Sequence, residues 1–369
     1  MGAARINMEK KNGNAQLHQA GRNKKDDFYT ALEDIEKELK HYPACFKGKT
    51  VFCNCDDPYE SNFFKYFVMH FNSLGLKKLI AACCSGSSVP SGPDMPEGGS
   101  SRPRRACKVI ITEVKEEDGD GKADVEYLLK NRKNVLSPLN GNGDFRSEEC
   151  IELLRESDIV VTNPPFSLFR EYVRLLVRHG KKFLIIGNQN AVTYKEIFPL
   201  IKENRLWFGA SIHSGDREFR VPDDYPLQAA GCCTRDGKKY IRVKGVRWFT
   251  NLDHKEHHKP LPLHERYQAE KYPRYDNYDA IEVRETRLIP QDYTGAMGVP
   301  ITFLDKYCPE QFEIIKFRKG DDGKDLSING ECPYFRILIR RKAAGGREKE
   351  AKFRKKTERD LKKRKNVVN

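Results

Sequence analysis

Apolar runs alternate with helical stripes along the first half of the chain. Residues 50–55 form a short run that predicts a buried strand, and residues 78–84 form another. Gly75 lies where a helix between the two strands would end. The apolar positions of that helix are Phe63, Phe64, Phe67, Val68 and Phe71. The pattern therefore predicts a β-α-β beginning.

The same alternation resumes further along the chain. Strands are predicted at residues 109–112, 159–162 and 183–186, with a helix at 147–155 before the second of them. A second helical stripe comprises Leu168, Phe169, Tyr172, Val173, Leu176 and Val177. Alternating strands and helices predict an α/β fold with a doubly wound, mostly parallel sheet. Ligands bind such sheets at the carboxyl ends of the strands.

Composition along the chain predicts four segments and one insertion. The first segment is polar and expected to be disordered, the second carries the alternating pattern, the third is aromatic and charged, and the last is basic and expected to be disordered. A Ser-, Gly- and Pro-rich stretch predicts a flexible insertion within the second segment. The segments are residues 1–25, 26–204, 205–340 and 341–369, and the insertion is 85–105.

The net charge of +14 is concentrated at one end of the 369-residue chain. Residues 340–369 contain fourteen Lys or Arg and four acids. Such a tail is expected to bind polyanions, to act as a nuclear import signal in a eukaryote, or only to solubilise. We find neither a signal peptide nor an apolar stretch long enough for a membrane span, and expect an intracellular protein without membrane contact, cytoplasmic or at the nucleoid in a prokaryote.

Cysteine and histidine spacing argues against a metal site. The eleven cysteines contain no Cys-x-x-Cys pair, which predicts free thiols in a reducing compartment. His254, His257, His258 and His264 lie close together, but they are surrounded by Lys, Pro and Glu in a predicted loop. We therefore expect no metal.

The tetrapeptide Asn163-Pro164-Pro165-Phe166 follows the apolar run that ends at Thr162. An exocyclic amine on a base is a poor nucleophile, because its lone pair is delocalised into the ring. The Asn163 side chain and the Pro164 carbonyl supply two acceptors for the amine hydrogens, and proline fixes the backbone that presents them. Phe166 offers a flat face for the base. The alternative is a strand followed by a rigid Pro-Pro turn.

A basic strand is predicted in the second half of the chain. In residues 240–244, Ile241 and Val243 would point inward, while Arg242 and Lys244 would share the outer face. Arg247 follows closely. Such a face suits nucleic acid, although an ordinary half-exposed strand has the same pattern.

Several segments together resemble one known family, the EcoRI-type adenine-specific DNA methyltransferases. The similarity extends over residues 26–340 except for the insertion, and so it is more specific than one tetrapeptide. The segments that carry it are residues 27–30, 52–58, 143–146, 158–166, 272–279, 297–304 and 329–336.

The resemblance implies methyl transfer from S-adenosylmethionine to N6 of a flipped adenine in double-stranded DNA, on a Rossmann-like class I methyltransferase fold. It implies that Asn163 and Pro164 hold the adenine amine, with Pro165 in the same motif. It also implies that Phe166 stacks on the adenine. The cofactor positions that it implies are Phe28, Tyr29, Thr30, Asn54, Cys55, Asp56, Asp57, Pro58, Asp144 and Phe145.

The order of these motifs implies a C-terminal target-recognition region. We expect DNA contacts from Arg242, Lys244, Arg247, Tyr275 and Asn277, a target site related to GAATTC, and a monomer. Two alternatives remain open. One is an RNA-base or glutamine-amide methyltransferase of the same fold, and the other is a non-catalytic DNA-binding relative.

Overall fold

A computed structural model describes residues 29–84, 106–115, 125–213, 216–221 and 232–342. The expectations for residues 1–25, for the 85–105 insertion and for nearly all of the basic tail lie outside these ranges. So does the position of Phe28.

Short helices accompany the strands in the described ranges. They are α1 (Leu32–Leu39), α2 (Pro43–Phe46), α3 (Asn62–Met69), α4 (Phe71–Leu74), α5 (Val125–Leu128), α6 (Glu148–Glu156), α7 (Phe169–Arg178) and α8 (Phe198–Lys202). None of these helices is long and apolar enough to cross a membrane. Gly75 ends α4 with a φ of 62°, in the left-handed conformation expected of a helix-ending glycine.

Eight strands form the main sheet, in the order β4-β3-β2-β1-β5-β6-β11-β7. Their bounds are β1 (Thr50–Asn54), β2 (Lys78–Cys83), β3 (Cys107–Ile111), β4 (Val135–Pro138), β5 (Ile159–Thr162), β6 (Lys182–Asn188), β7 (Trp207–Phe208) and β11 (Val246–Thr250). The four central strands are parallel neighbours. Every side chain of β1 and β5 is buried, as in a sheet covered on both faces.

The main sheet is mixed, and not the mostly parallel sheet that the alternation predicts. β3 and β11 run opposite to the other six strands, so both flanks of the sheet pair in antiparallel fashion. Apolar patterning locates a strand but does not determine its direction, which explains the difference.

Two smaller sheets complete the described fold. The first, in the order β8-β10-β9, contains β8 (Asp216–Val221), β9 (Cys232–Arg235) and β10 (Lys238–Lys244). The second, in the order β12-β13-β15-β14, contains β12 (Ala280–Glu282), β13 (Ala296–Pro300), β14 (Phe312–Phe317) and β15 (Arg336–Arg341).

Contacts divide the chain into two compact units. The first comprises Met1–Pro199 with Leu206–His254, and the second comprises Leu200–Arg205 with Lys255–Asn369. The structural division therefore lies about fifty residues beyond the boundary expected after residue 204, because β7 and β11 return to the main sheet. Whether residues 205–340 read the target is a separate question, which stays a prediction.

A buried carboxylate fixes the last strands of the first unit. Glu38 in α1 is fully buried, and its Oε1 accepts hydrogen bonds from the Tyr42 hydroxyl at 2.6 Å and the Ala210 N–H at 2.7 Å. Its Oε2 accepts a bond from the Ser211 N–H at 2.7 Å. A Cβ on Gly209 would lie 2.2 Å from Glu38 Oε1, so only glycine fits there.

We predict that Glu38→Ala destabilises the protein by about 3 kcal/mol, because it leaves the buried Ala210 N–H and the half-buried Ser211 N–H without acceptors. Urea unfolding measures the change, and Glu36→Ala on the exposed face of the same helix is the matched control. Equal losses in the two variants would contradict the assignment.

Candidate active site

The carboxyl ends of β1 and β5 lie side by side, because the two strands are parallel neighbours in register from Val51 and Ile159. Asn54 ends β1, and Asn163 follows the end of β5. Both amides therefore reach the edge at which α/β sheets bind ligands.

A threonine joins these two strand ends. The Thr162 hydroxyl is fully buried, lies within hydrogen-bond distance of the main-chain oxygen of Asn54, and is 2.5 Å from Asp56 Oδ2. The other oxygen of Asp56 accepts a bond from the Ser61 hydroxyl at 2.7 Å. Ser61 begins α3, where its Oγ accepts a bond from the Phe63 N–H at 3.1 Å. One carboxyl group thus connects both strands to a helix terminus.

The turn after β1 takes an unusual backbone conformation. Cys55 has a φ of 76°, in the left-handed region that costs a residue with a Cβ about 1–3 kcal/mol. The N–H groups of Cys55 and Asp56 both donate to the Ala82 carbonyl of β2 at 3.1 Å. Cysteine therefore occupies a conformation that glycine usually supplies in such turns.

Asp56 is buried, and burial raises its pKa to about 7. Hydrogen bonds from the Ser61 and Thr162 hydroxyls act in the opposite direction, while nearby Asp57 adds to the rise. The carboxyl group therefore changes its protonation near neutral pH, where an adjacent cation would favour the charged form.

The Asn163 amide contacts the N-terminal motif. Asn163 Nδ2 lies 3.4 Å from Thr30 Oγ1. The main-chain oxygen of Thr30 accepts a bond from Asn62 Nδ2 at 2.7 Å, which fixes the motif on α3. With its nitrogen facing Thr30, the Asn163 amide has its oxygen oriented to accept a bond from another group.

The remainder of the tetrapeptide begins a 3₁₀ turn, Phe166–Leu168. The Pro165 carbonyl accepts the Leu168 N–H at 3.0 Å, which leaves the buried Pro164 to supply the second acceptor that the resemblance implies. Phe166 is half-buried, and its ring meets Phe219 of β8 edge-on at 6.4 Å.

Arg220 joins the small sheet to two predicted motifs. Its main-chain oxygen accepts the Tyr29 N–H at 2.9 Å, and its guanidinium lies 5.7 Å from the Tyr29 ring. The same guanidinium pairs with Glu60 in the turn after β1, at 2.8 Å. The small sheet is therefore bound to the N-terminal motif as well as to the tetrapeptide.

A second turn lies against the end of β2. Gly143 has a φ of 78°, and a Cβ there would approach the Cys83 oxygen to 2.3 Å. Asp144 forms two hydrogen bonds with the Arg146 guanidinium, of 2.6 and 2.9 Å, and the first cause of its lowered pKa is this pairing. Asp144 is therefore an ionised acceptor.

Phe145 and Asn54 lie in the buried part of this edge. Phe145 contacts the ring of Tyr172 edge-on at 5.0 Å. The Asn54 amide is fully buried, and within the described residues neither of its polar atoms has a partner at hydrogen-bond distance, although it lies near enough to the Tyr172 hydroxyl to offset part of the rise that burial gives the pKa of that group. A buried amide in this position can bind a polar ligand without first breaking a bond to protein.

The residues predicted to contact DNA differ in how far their side chains are exposed. Arg242 and Lys244 are exposed on β10, with Ile241 and Val243 buried behind them, as the strand pattern predicts. Arg247 is 3% exposed, and its guanidinium donates to the carbonyls of Val246 and His213. All side chains of β11, which lies between β6 and β7, are buried, so Arg247 is not exposed as Arg242 and Lys244 are, and its contact with DNA stays a prediction.

Tyr275 and Asn277 belong to the second unit and help to build it. Tyr275 is buried and donates its hydroxyl to Glu282, so it is a core residue and not a surface contact. Asn277 donates to the Asp325 carbonyl at 2.9 Å and accepts the Ser327 N–H at 3.2 Å. Through these bonds Asn277 fixes its loop against residues 325–327.

Sequence reasoning missed several residues of the edge. They are Ser61, Asn62, Thr162, Tyr172, Phe219 and Arg220. Thr162 is the last residue of the apolar run before the tetrapeptide, and Ser61 precedes a predicted helix as a capping residue does, so both positions carried a signal in the sequence. No local sequence pattern predicts the contact between Phe219 of β8 and Phe166.

Neither cysteine nor histidine forms a metal centre in the described ranges, where no group of three His, Cys, Asp or Glu side chains could hold an ion. The eleven cysteines all lie in those ranges, and no disulfide joins them. His258 pairs with Glu310 at 2.9 Å, and His257 bonds to Asn204 at 2.9 Å.

An amide at a strand end, beside acidic turns at the same edge of an α/β sheet, is compatible with a methyltransferase. Comparison with known families gives the particular kind. The family model described as "Adenine-specific methyltransferase EcoRI" matches residues 16–367, so the chain belongs to that family, which confirms the resemblance. It is an adenine-specific DNA methyltransferase.

Curated relatives agree with this assignment. The chain is 52% identical to the type II methyltransferase M.EcoRI of Escherichia coli over 89% of this chain and 97% of that protein. It is 38% identical to M.MpnI of Mycoplasma pneumoniae over 88% of this chain and 98% of that protein. No solved structure matches the chain.

We predict that Thr30→Val lowers kcat roughly tenfold, because the Asn163 amide loses the hydroxyl that sets its orientation. Steady-state kinetics with the full chain, together with cofactor affinity, measures the effect. Thr30→Ser keeps the hydroxyl and should keep the rate. A loss confined to cofactor affinity would contradict this role.

The pKa of Asp56 predicts a pH-dependent stability. Because the folded pKa of about 7 exceeds the unfolded value, the contribution of Asp56 is full below about pH 4 and is lost as pH rises through 7. Asp56→Asn should therefore gain stability relative to the wild type, by a few kcal/mol, between pH 5 and pH 8. Urea unfolding at both pH values tests this, and parallel curves for the two proteins would refute it.

Proposed function

We propose that this protein transfers the methyl group of S-adenosylmethionine to N6 of an adenine flipped out of double-stranded DNA, on a Rossmann-like class I methyltransferase fold. The observation that carries the proposal is the contact of the Asn163 amide nitrogen with Thr30, which orients the amide oxygen as an acceptor. Family membership supplies the class of reaction.

The residues at the strand ends fit this cofactor. When bound, it supplies a methyl group made electrophilic by a sulfonium. The buried Asn54 amide offers both a donor and an acceptor, and the ionised Asp144 offers an acceptor for an amino group. Asp56 suits a neighbouring cation, since a positive charge would lower its raised pKa. Tyr29, Thr30, Cys55, Asp57, Pro58 and Phe145 complete the set that we propose.

The tetrapeptide would act on the adenine amine. The amine hydrogens would donate to Asn163 Oδ1 and to the Pro164 carbonyl, which draws the nitrogen toward tetrahedral geometry and frees its lone pair. Phe166 would stack on the base, with Phe219 supporting its ring. Catalysis then consists mainly of alignment and polarisation. Flipping is required, because the amine of a paired base cannot reach a pocket at the strand ends.

The small sheet offers charge for a polyanion. Its strands and the turn between β9 and β10 contain seven Lys or Arg against three acids. Arg242 and Lys244 are exposed, and the Arg235 guanidinium lies 4.8 Å from the ring of Tyr240. We propose phosphate contacts by Arg242 and Lys244, with target reading in residues 205–340. A monomer suffices, because the two strands of a palindrome can be methylated in turn.

The similarity to M.EcoRI supports GAATTC as the first target to test. We predict label from S-adenosylmethionine in N6-methyladenine of a GAATTC duplex, and little in a scrambled duplex or in structured RNA. Label in the scrambled duplex would support methyl transfer to DNA but reject GAATTC as the target site. Label only in RNA would favour the alternative enzyme class, and cofactor binding without transfer would favour a non-catalytic relative.

In the same assay, Asn163→Ala should lower the rate at least about a hundredfold while leaving cofactor affinity nearly unchanged. Asn72→Ala, an exposed amide in α4, is the matched control and should keep the rate. A near-normal rate for Asn163→Ala would reject the mechanism.

A further inference from the structure

The second unit presents one unusually exposed aromatic side chain. Tyr334 is 74% exposed, more than any other large hydrophobic side chain in the described part of the chain. It lies in the segment 329–336, which carries part of the family resemblance and to which the mechanism above assigns no role.

The exposed ring of Tyr334 stacks on the ring of its neighbour Phe335. Its ring lies nearly parallel to that of Phe335, at 27° and 5.4 Å between centroids. Phe335 meets Phe317 of β14 at 6.0 Å, and the Arg318 guanidinium lies 4.0 Å from the Phe335 ring. Phe335 is therefore supported by a strand residue and a cation, and Tyr334 rests on this support.

Charged hydrogen bonds fix the backbone of the same segment. Arg336 donates to the Tyr334 carbonyl at 2.9 Å and forms bonds of 2.7 and 2.9 Å with Glu282, which also accepts from Tyr275. The Glu282 side chain is almost fully buried. The loop is thus anchored to the core of its unit.

A further anchor lies at the start of the segment. The Asp276 carboxylate accepts the N–H groups of Asn329 and Gly330 at 3.0 and 2.9 Å, and the Ser327 hydroxyl at 3.0 Å. Two segments that the resemblance singled out, 272–279 and 329–336, are therefore bound to each other. Asp276 and Arg336 thus bind the backbone of this segment before Tyr334 and at the Tyr334 carbonyl.

We propose that Tyr334 is a DNA contact that stacks on a base of the target duplex. The inference rests on the proposed action on duplex DNA. A planar ring held in advance loses little conformational entropy on binding, which favours a planar partner. Base flipping disrupts stacking in the duplex and exposes base faces that an aromatic side chain can cover. The chemistry of a stacked Tyr–Phe pair beside a guanidinium matches such a face.

Affinity for the duplex that the wild-type protein methylates tests the proposal. Tyr334→Ala should weaken binding roughly 5- to 150-fold, equivalent to about 1–3 kcal/mol of stacking. Tyr334→Phe should bind within about twofold of the wild type, and Tyr334→Leu, which is apolar but not aromatic, should be as weak as Tyr334→Ala. Tyr127→Ala is the control, since Tyr127 is an exposed aromatic of the first unit.

Two further readouts separate stacking from structural damage. Urea unfolding of the Tyr334 variants should match the wild type, because the side chain is exposed. With 2-aminopurine placed at successive positions of the duplex, one position should brighten when Tyr334 is replaced by alanine or leucine. Unchanged affinity and fluorescence would overturn the proposal, as would an altered oligomeric state with unchanged DNA affinity. Failure of the wild-type protein to methylate any duplex would instead reject the proposed function.

Discussion

The hydrogen bonds of the Asp56 carboxyl group are the constraint on which the whole candidate site depends. Thr162 binds it from the end of β5, and Ser61 binds it from the start of α3. Asn163 follows Thr162 directly, so the position of its amide, to which we assign the catalytic role, is set by a bond to a buried, weakly acidic group. Stability and site geometry therefore share the same atoms, which explains why a carboxyl group remains in a place where burial is unfavourable.

Three local rules are broken close together at this edge. Cys55 has a left-handed backbone, Asp56 is buried, and the Asn54 amide has no hydrogen bond among the described residues. Away from the edge, Gly75 ends its helix in the left-handed conformation, as sequence rules expect. Exceptions gathered at one edge of a sheet are typical of a functional site, because binding uses groups that folding leaves unsatisfied.

The sequence predicted the central strands well, because each is a short apolar run beside a helical stripe. It did not predict the directions of β3 and β11, since pairing partners are chosen by tertiary structure. Arg247 and Tyr275 were expected to contact DNA on residue type and resemblance alone, whereas their burial depends on how the whole unit packs around them. Lys244 and Arg242 were correctly expected to be exposed, because period-two alternation determines the outer face of a strand that is covered on one side only. The contact of Thr30 with Asn163 joins residues 133 positions apart and leaves no trace in local pattern.

The separation of the neighbouring strands β6 and β11 along the chain has a consequence for synthesis on the ribosome. β6 ends at Asn188, but its outer neighbour β11 begins only at Val246. While the intervening residues emerge, a strand whose side chains are mostly buried in the finished protein has an unpaired edge. Exposed edges of this kind recruit other strands, so the nascent chain is open to intermolecular pairing until residues 189–245 have emerged. The order of strands along the chain thus sets a period of vulnerability to aggregation before the enzyme can exist.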